Sequence, residues 1–256
     1  FRSVTSNAMS GSTISATPLT NGNTVSFDSS SSDNYYSFTL NSAGNVLISG
    51  SDVYGSGIDL VKIYDSNFSQ IDYSFSVNGS TAALLAAVSA SVNKGGKILV
   101  ARNCHKAVYH ALYLRELQPV YIYPHEDQRL GINGGISPER VERYLEENTD
   151  VQAFLLTSPT YDGVVSDIKT IAEVVHRHKI PLIVDEAHGA HLHYSKYFPV
   201  SAADLGADIV IQSFHKTLPS MTQTAVLHIC SDMADVEKIK RFMGIYQTSS
   251  PSYILM

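Results

Sequence analysis

Short apolar or β-branched runs recur along the later part of the chain, at 97–101 (KILVA), 119–123 (PVYIY), 153–157 (AFLLT), 181–185 (PLIVD) and 208–212 (DIVIQ). Runs of this length read as buried strands. Between and after them the pattern predicts helices over 80–92, 105–114, 138–147, 168–178 and 235–245, with a further strand-like run at 224–229. The helix at 138 is signalled most fully: Ser137 stands as N-cap, Pro138 takes the first helical position, and Glu139 and Glu142 lie near the positive end of the dipole. Strands alternating with helices in this way predict an α/β fold, a mostly parallel sheet flanked by helices. Ligands of such sheets sit outside the carboxyl ends of the strands.

The first 70 residues follow another pattern. Their β-rich runs at 35–40 (YYSFTL), 45–49 (NVLIS) and 59–64 (DLVKIY) are separated by Gly, Asn and Ser turns, which predicts a β-rich segment or small antiparallel sandwich over 9–70. Composition sharpens the boundary. These 70 residues hold 17 serines, no Glu and no His, and Arg2 and Lys62 are their only basic residues. The other reading of this segment is a Ser-rich, partly disordered leader, since tracts such as SSSSDN need no core. Ser6-Asn7-Ala8 ahead of Met9 resembles the scar of a cleaved tag, so residues 1–8 are set aside from fold reasoning. The larger domain then runs over 71–256.

A net charge of -6 argues against nucleic acid, which needs a basic face. Cys104 and Cys230 stand far apart without metal-type spacing, so they supply no disulfide framework and read as reduced thiols. Without an apolar run of about 18 residues, no membrane span is expected, and the chain reads as soluble and cytoplasmic.

The chemistry collects at the ends of the strands. Asn78-Gly79-Ser80-Thr81 is a glycine turn into a helix whose N–H groups and hydroxyls suit a phosphate. Asn103-Cys104-His105-Lys106 follows the strand at 97, Asp185-Glu186-Ala187-His188 the one at 181, and Ser213-Phe214-His215-Lys216 the one at 208. An anion cradle, an imidazole, a strand-end carboxylate and a lysine together are what pyridoxal phosphate requires. The amine forms a Schiff base with the aldehyde, and the carboxylate keeps the pyridine nitrogen protonated so that the ring accepts electrons from a breaking bond.

VNGSTAALLAAV, ARNCHKAVYHAL, LLTSPTYDGVVSDI, PLIVDEAHGAHL, ADIVIQSFHKTLPSMTQTAVLH and YQTSSPSYILM resemble, in this order, the major domain of the bacterial ornithine, lysine and arginine decarboxylases. These are pyridoxal-phosphate enzymes of the aspartate-aminotransferase-like fold, and the resemblance covers about 72–256. It implies that Ser80 and Thr81 hold the cofactor phosphate with Ser213 and His215, that His105 stacks on the ring, and that Asp185 pairs with the ring nitrogen. It further implies that Ala187 packs behind the ring and that Lys216 carries the Schiff base. Asp185, His188 and Lys216 are the expected catalytic residues, His188 contacting the phenolic oxygen or serving the substrate as an acid. The implied reaction is loss of the α-carboxylate of lysine, ornithine or arginine as CO2. A homodimer or higher homo-oligomer is the implied assembly.

The alternatives are another reaction of the same cofactor, of aminotransferase or aldolase type, or a catalytically incomplete fragment fused to a β-type binding module. For the latter, YYSFTLNSAGNVLISG resembles a pre-peptidase C-terminal-type β-sandwich. Two departures from the decarboxylase pattern bear on turnover. Nothing before residue 72 resembles the family's Pro-Gly-His-Lys stretch, and Met256 comes before the smaller C-terminal domain that closes over substrate in that family.

Other motifs carry less. DEAH at 185–188 is also a helicase signature, but Gly95-Gly96-Lys97-Ile98 lacks the spacing and hydroxyl of a phosphate loop. His188, His191 and His193 are explained without a metal by their place beside the cofactor site, His176 and His178 read as a solvated helix end, and GINGGI at 131–136 reads as a turn.

Overall fold

The computed structural model describes residues 17–18, 36–37, 60–64 and 70–247, with side chains from Ser74 onward. In chain order the strands are β1 (Thr17–Pro18), β2 (Tyr36–Ser37), β3 (Leu60–Tyr64), β4 (Gln70–Asn78), β5 (Lys97–Ala101), β6 (Gln118–Ile122), β7 (Glu126–Asp127), β8 (Ile132–Asn133), β9 (Val151–Thr157), β10 (Leu182–Asp185), β11 (Ile209–Ser213) and β12 (Thr224–Ile229). The helices are α1 (Ser80–Ser91), α2 (Lys106–Leu114), α3 (Pro138–Glu147), α4 (Ile168–Arg177), α5 (Phe214–Thr217) and α6 (Val236–Tyr246).

Eight strands form one sheet in the order β3-β4-β12-β11-β10-β9-β5-β6. The run from β11 to β6 is parallel, and β12, β4 and β3 pair antiparallel to their neighbours. The mostly parallel α/β architecture expected from the sequence is therefore present. One face packs on α1, α2 and α6, the other on α3 and α4. Phe75 lies fully buried on the first face and Phe154 on the second, each contributing roughly 1.5–3 kcal/mol through burial.

Helix α1 explains why its sequence lacks a polar stripe. It crosses the first face in contact with β4 and with β9 to β12, and α2 and α6 cover its outer side. A helix enclosed on all sides is apolar all round, and its alanines let the backbone approach the sheet closely. This crossing carries the chain from β4 to β5 on the far side of three parallel strands, and it brings the N-terminus of α1 to the end of β11.

The run at 59–64, read from the sequence as part of the N-terminal segment, contributes β3 to the edge of the large sheet, paired with β4. Thr17–Pro18 and Tyr36–Ser37 pair parallel with each other. The strand expected at 45–49 and residues 1–8 lie outside the described residues. GINGGI supplies β8, which pairs with β7 across a turn. The imidazoles at the end of α4 are engaged. His176 Nε2 lies 2.9 Å from the fully buried Asp208 carboxylate, which also accepts from Leu182 N at 2.6 Å, and His178 Nε2 lies 3.1 Å from Glu142. Asp208 sits beneath the last turn of α4 and draws that histidine inward, because a buried carboxylate must be paired.

Candidate active site

Side-chain alternation decides what meets at the carboxyl ends. Ile183 and Ile211 face α1, so Asp185 and Ser213, each two residues further on, point to the same side. Thr157, in register with Asp185, joins them. The last residues of β9, β10 and β11 thus line one side of a shallow rim, beside the start of α1.

Gly79 allows the close entry there. It precedes α1 at φ 91°, a conformation that a side chain disfavours, and Ser80 Oγ then lies 2.5 Å from Ser213 Oγ. Two hydroxyls at a helix N-terminus can hold an anion. Thr81, the next residue, is exposed. His215 ties α5 to β12 through Nδ1, which donates to the Thr224 carbonyl at 2.9 Å.

Lys216 extends from α5 to His188, with Nζ donating to Nε2 at 3.3 Å. The His188 imidazole is held below its ordinary value first by burial and then by the Lys216 charge, so the ring is neutral at pH 7 with its proton on Nδ1. Tyr161 meets His188 edge-on, with ring centroids 5.7 Å apart. His105 accepts from Ala107 N at 3.2 Å and so caps α2. Burial, and next Lys216, hold its imidazole low as well.

Asp185 stands at the centre. Its carboxyl is fully buried and pushed up to about 6 by burial, opposed by the Ala187 N–H at 3.2 Å and by the charge of Lys216. The geometry therefore gathers Ser80, His105, Asp185, Ala187, His188, Ser213 and Lys216 at one rim, with His215 behind them.

Two buried polar atoms at this rim have no hydrogen-bond partner, Thr157 Oγ1 and Asn103 Oδ1. The sequence reading did not single out Thr157, whose signal is its place as the last residue of a strand paired with that of Asp185. Glu186, part of DEAH, has no expected role from the sequence. It faces away from Asp185 and accepts from Ser201 Oγ at 2.7 Å, Ala202 N at 2.7 Å and Gln212 Nε2 at 2.6 Å. Behind Gln212 the donors point one way: Ser74 Oγ to His228 Nδ1 at 2.8 Å, then His228 Nε2 to Gln212 Oε1 at 3.3 Å. Burial holds His228 down to about 4, so it takes part as a neutral ring. Two adjacent acids thus do separate work, Asp185 toward the rim and Glu186 bracing the strand end from the opposite face.

Gly189 closes that brace. A Cβ there would stand 2.5 Å from Glu186 Cγ, 2.9 Å from Pro159 Cδ and 3.0 Å from Leu192 Cδ1. Glu186 is pinned by its three hydrogen bonds and Pro159 by its ring. Gly189→Ala is expected to lower stability by about 1–3 kcal/mol in urea denaturation, whereas an unchanged midpoint would mean that this loop yields freely.

Comparison with known proteins identifies the family. The model of the family "Orn/Lys/Arg decarboxylase, major domain" matches residues 61–256. An arginine decarboxylase of Bacillus cereus is 37% identical over 182 residues, which cover 71% of this chain and 40% of that protein. Among solved structures, the constitutive lysine decarboxylase of Escherichia coli superposes with TM-score 0.55 at 27% identity, covering 72% of this chain and 27% of that one. Lysine decarboxylase A of Pseudomonas aeruginosa gives TM-score 0.62 at 22% identity over 71% of this chain and 27% of that one, a likeness of fold. These matches span less than half the length of these proteins, and residues 61–256, which the family model matches, include all the rim residues described above. The chain belongs to the Orn/Lys/Arg decarboxylase family, through that family's major domain.

Proposed function

We propose that this chain binds pyridoxal 5'-phosphate through Lys216 and serves the decarboxylation of a basic amino acid, arginine, lysine or ornithine. The observation that carries the reading is Asp185, a fully buried acid with the Ala187 N–H as its hydrogen-bond donor and a lysine ammonium close enough to favour its charge. A buried carboxyl pushed up to about 6 by burial is suited to a cationic ring nitrogen, which would return it to the ionised form. The orphaned hydroxyl of Thr157 beside it also fits a polar ligand.

When bound, the cofactor supplies an aldehyde that condenses with an amine as a Schiff base and a cationic ring that takes up the electron pair left as CO2 departs. The chain's own residues do the rest. Ser80 and Ser213 bind the phosphate at the N-terminus of α1, with His215 following Ser213 on α5. The flat face of His105 orients the ring, and Ala187 closes the opposite side. Lys216 must lose a proton before it can act as a nucleophile, and His188 Nε2 is placed at 3.3 Å to take it. Asp185 holds the proton of the ring nitrogen.

Exposed apolar side chains follow the ends of β9, β10 and β11: Tyr161, Tyr194, Tyr197, Phe198, Val200 and Met221. A second copy of the chain packed over them would exclude water from the site, so a homodimer is the assembly that accompanies this reading.

The test is CO2 release from carboxyl-labelled arginine, lysine and ornithine by the cofactor-loaded chain. Release from one of the three, with its amine in equal amount, is the expected result. A 2-oxo acid formed without CO2 would put a transamination in its place.

A further inference from the structure

We infer that the Thr157 hydroxyl hydrogen-bonds the phenolic oxygen of bound pyridoxal phosphate and thereby sets the pH at which the cofactor's link to Lys216 gives up its proton. The inference rests on the cofactor reading above. It starts from a hydroxyl that the fold leaves unpaired: Thr157 Oγ1 is buried at the last position of β9 and has no partner. Such a group is costly when nothing satisfies it, and sites that bind ligands are where such groups are retained.

The register says which part of the ligand it meets. Thr157 pairs with Asp185 and points to the same side of the sheet, toward α1. Ser213, bonded to Ser80, stands on β11, on the opposite flank of Asp185. In pyridoxal phosphate the phosphate arm and the phenolic oxygen leave the ring on opposite flanks of the axis through its nitrogen. With the nitrogen on Asp185 and the phosphate on the β11 flank, the phenolic oxygen falls on the β9 flank, where Thr157 is. The nearby hydroxyl of Ser158 is engaged, accepting from Ser166 N at 3.1 Å.

The titratable groups gathered at this site are Asp185 at the end of β10 and His188 beyond it, Cys104 and His105 ahead of α2 with Lys106 at its first position, Lys216 beyond β11, and Tyr161 beyond β9. Of the side chains on the β9 flank, Thr157 carries the buried hydroxyl without a partner. A donor there favours the negative phenolic oxygen most once the neighbouring nitrogen has lost its proton. Its removal therefore makes that proton harder to lose.

The experiment follows the visible band of the loaded 256-residue chain from about pH 5 to about pH 9. Thr157→Val is expected to raise the pH midpoint of the band by about one unit, roughly tenfold in proton affinity. Thr157→Ala should move it likewise and Thr157→Ser should restore it, so that the variants group by hydroxyl and not by size. A midpoint unmoved in both Val and Ala variants, or a Ser variant that moves with Ala, would overturn the inference while leaving cofactor binding intact. A parent chain that forms no band at all would remove the cofactor reading, and this inference with it.

Discussion

Lys216→Ala is expected to leave the chain folded and to abolish the visible band that the parent should give on incubation with pyridoxal phosphate. The lysine is exposed on the four-residue helix α5, and its contact to His188 at 3.3 Å reaches a half-buried ring, so its loss costs the fold within about 0.5 kcal/mol. Among the described residues Lys216 is the lysine bonded to His188, and the proposed covalent anchor is lost with it. A second readout accompanies the spectrum. The charge of Lys216 is the second cause, after burial, that holds His105 and His188 low, and in the alanine variant both imidazoles should titrate at higher pH in proton NMR. Imidazoles that stay where they were would place Lys216 away from the rim.

Asp185→Asn is expected to change stability differently with and without cofactor. In the folded chain burial pushes this carboxyl up to about 6 from an ordinary 3.8, which amounts to about 3 kcal/mol. Below about pH 4 the acid is protonated in both folded and unfolded chains, and the stability it allows is complete. As the pH rises through the interval up to about 6 the unfolded chain ionises first, and stability is lost progressively. The asparagine variant escapes that loss. Without cofactor it should match the parent near pH 4 and exceed it by up to about 3 kcal/mol near pH 8 in urea denaturation. With cofactor the ranking should narrow or reverse, because the parent gains a cation opposite its buried charge and the amide does not. A variant less stable than the parent at both pH values would show that Asp185 is already paired within the chain.

These expectations depend on a fold that was largely legible from apolar periodicity. The five runs read as parallel strands are β5, β6, β9, β10 and β11, with ends shifted by no more than two residues; the four inner ones are apolar because a strand buried on both faces must be so throughout, and β6 lies at the edge. What escaped were features set by partners distant in sequence. Leu60–Tyr64 looked like its serine-rich surroundings until its pairing with β4 placed it in the large sheet. His176 looked like an exposed helix end, since Asp208 lies 32 residues away and nothing local announces it.

The candidate site divides in the same way. Ser80, Asp185, Ser213 and Lys216 could be named because each stands just where an apolar run stops, and a functional group at that point is conspicuous. Thr157 could not, because threonine is at home in any strand and only the β9–β10 register puts it next to Asp185. Glu186 was obscured by its neighbour. Adjacent residues at a strand end point to opposite faces, so a pair of acids there has one member toward the rim and one behind it, and the loop at Ser201 and Ala202 identifies which is which.

In the proposed function the ε-amine of Lys216 is the group to which the cofactor becomes bonded. Borohydride reduction of the pyridoxal-phosphate-loaded chain, followed by peptide mass mapping, tests it directly. One added phosphopyridoxyl mass is expected, on the peptide that carries Lys216. The same mass on another lysine, with Lys216 unmodified, would contradict it.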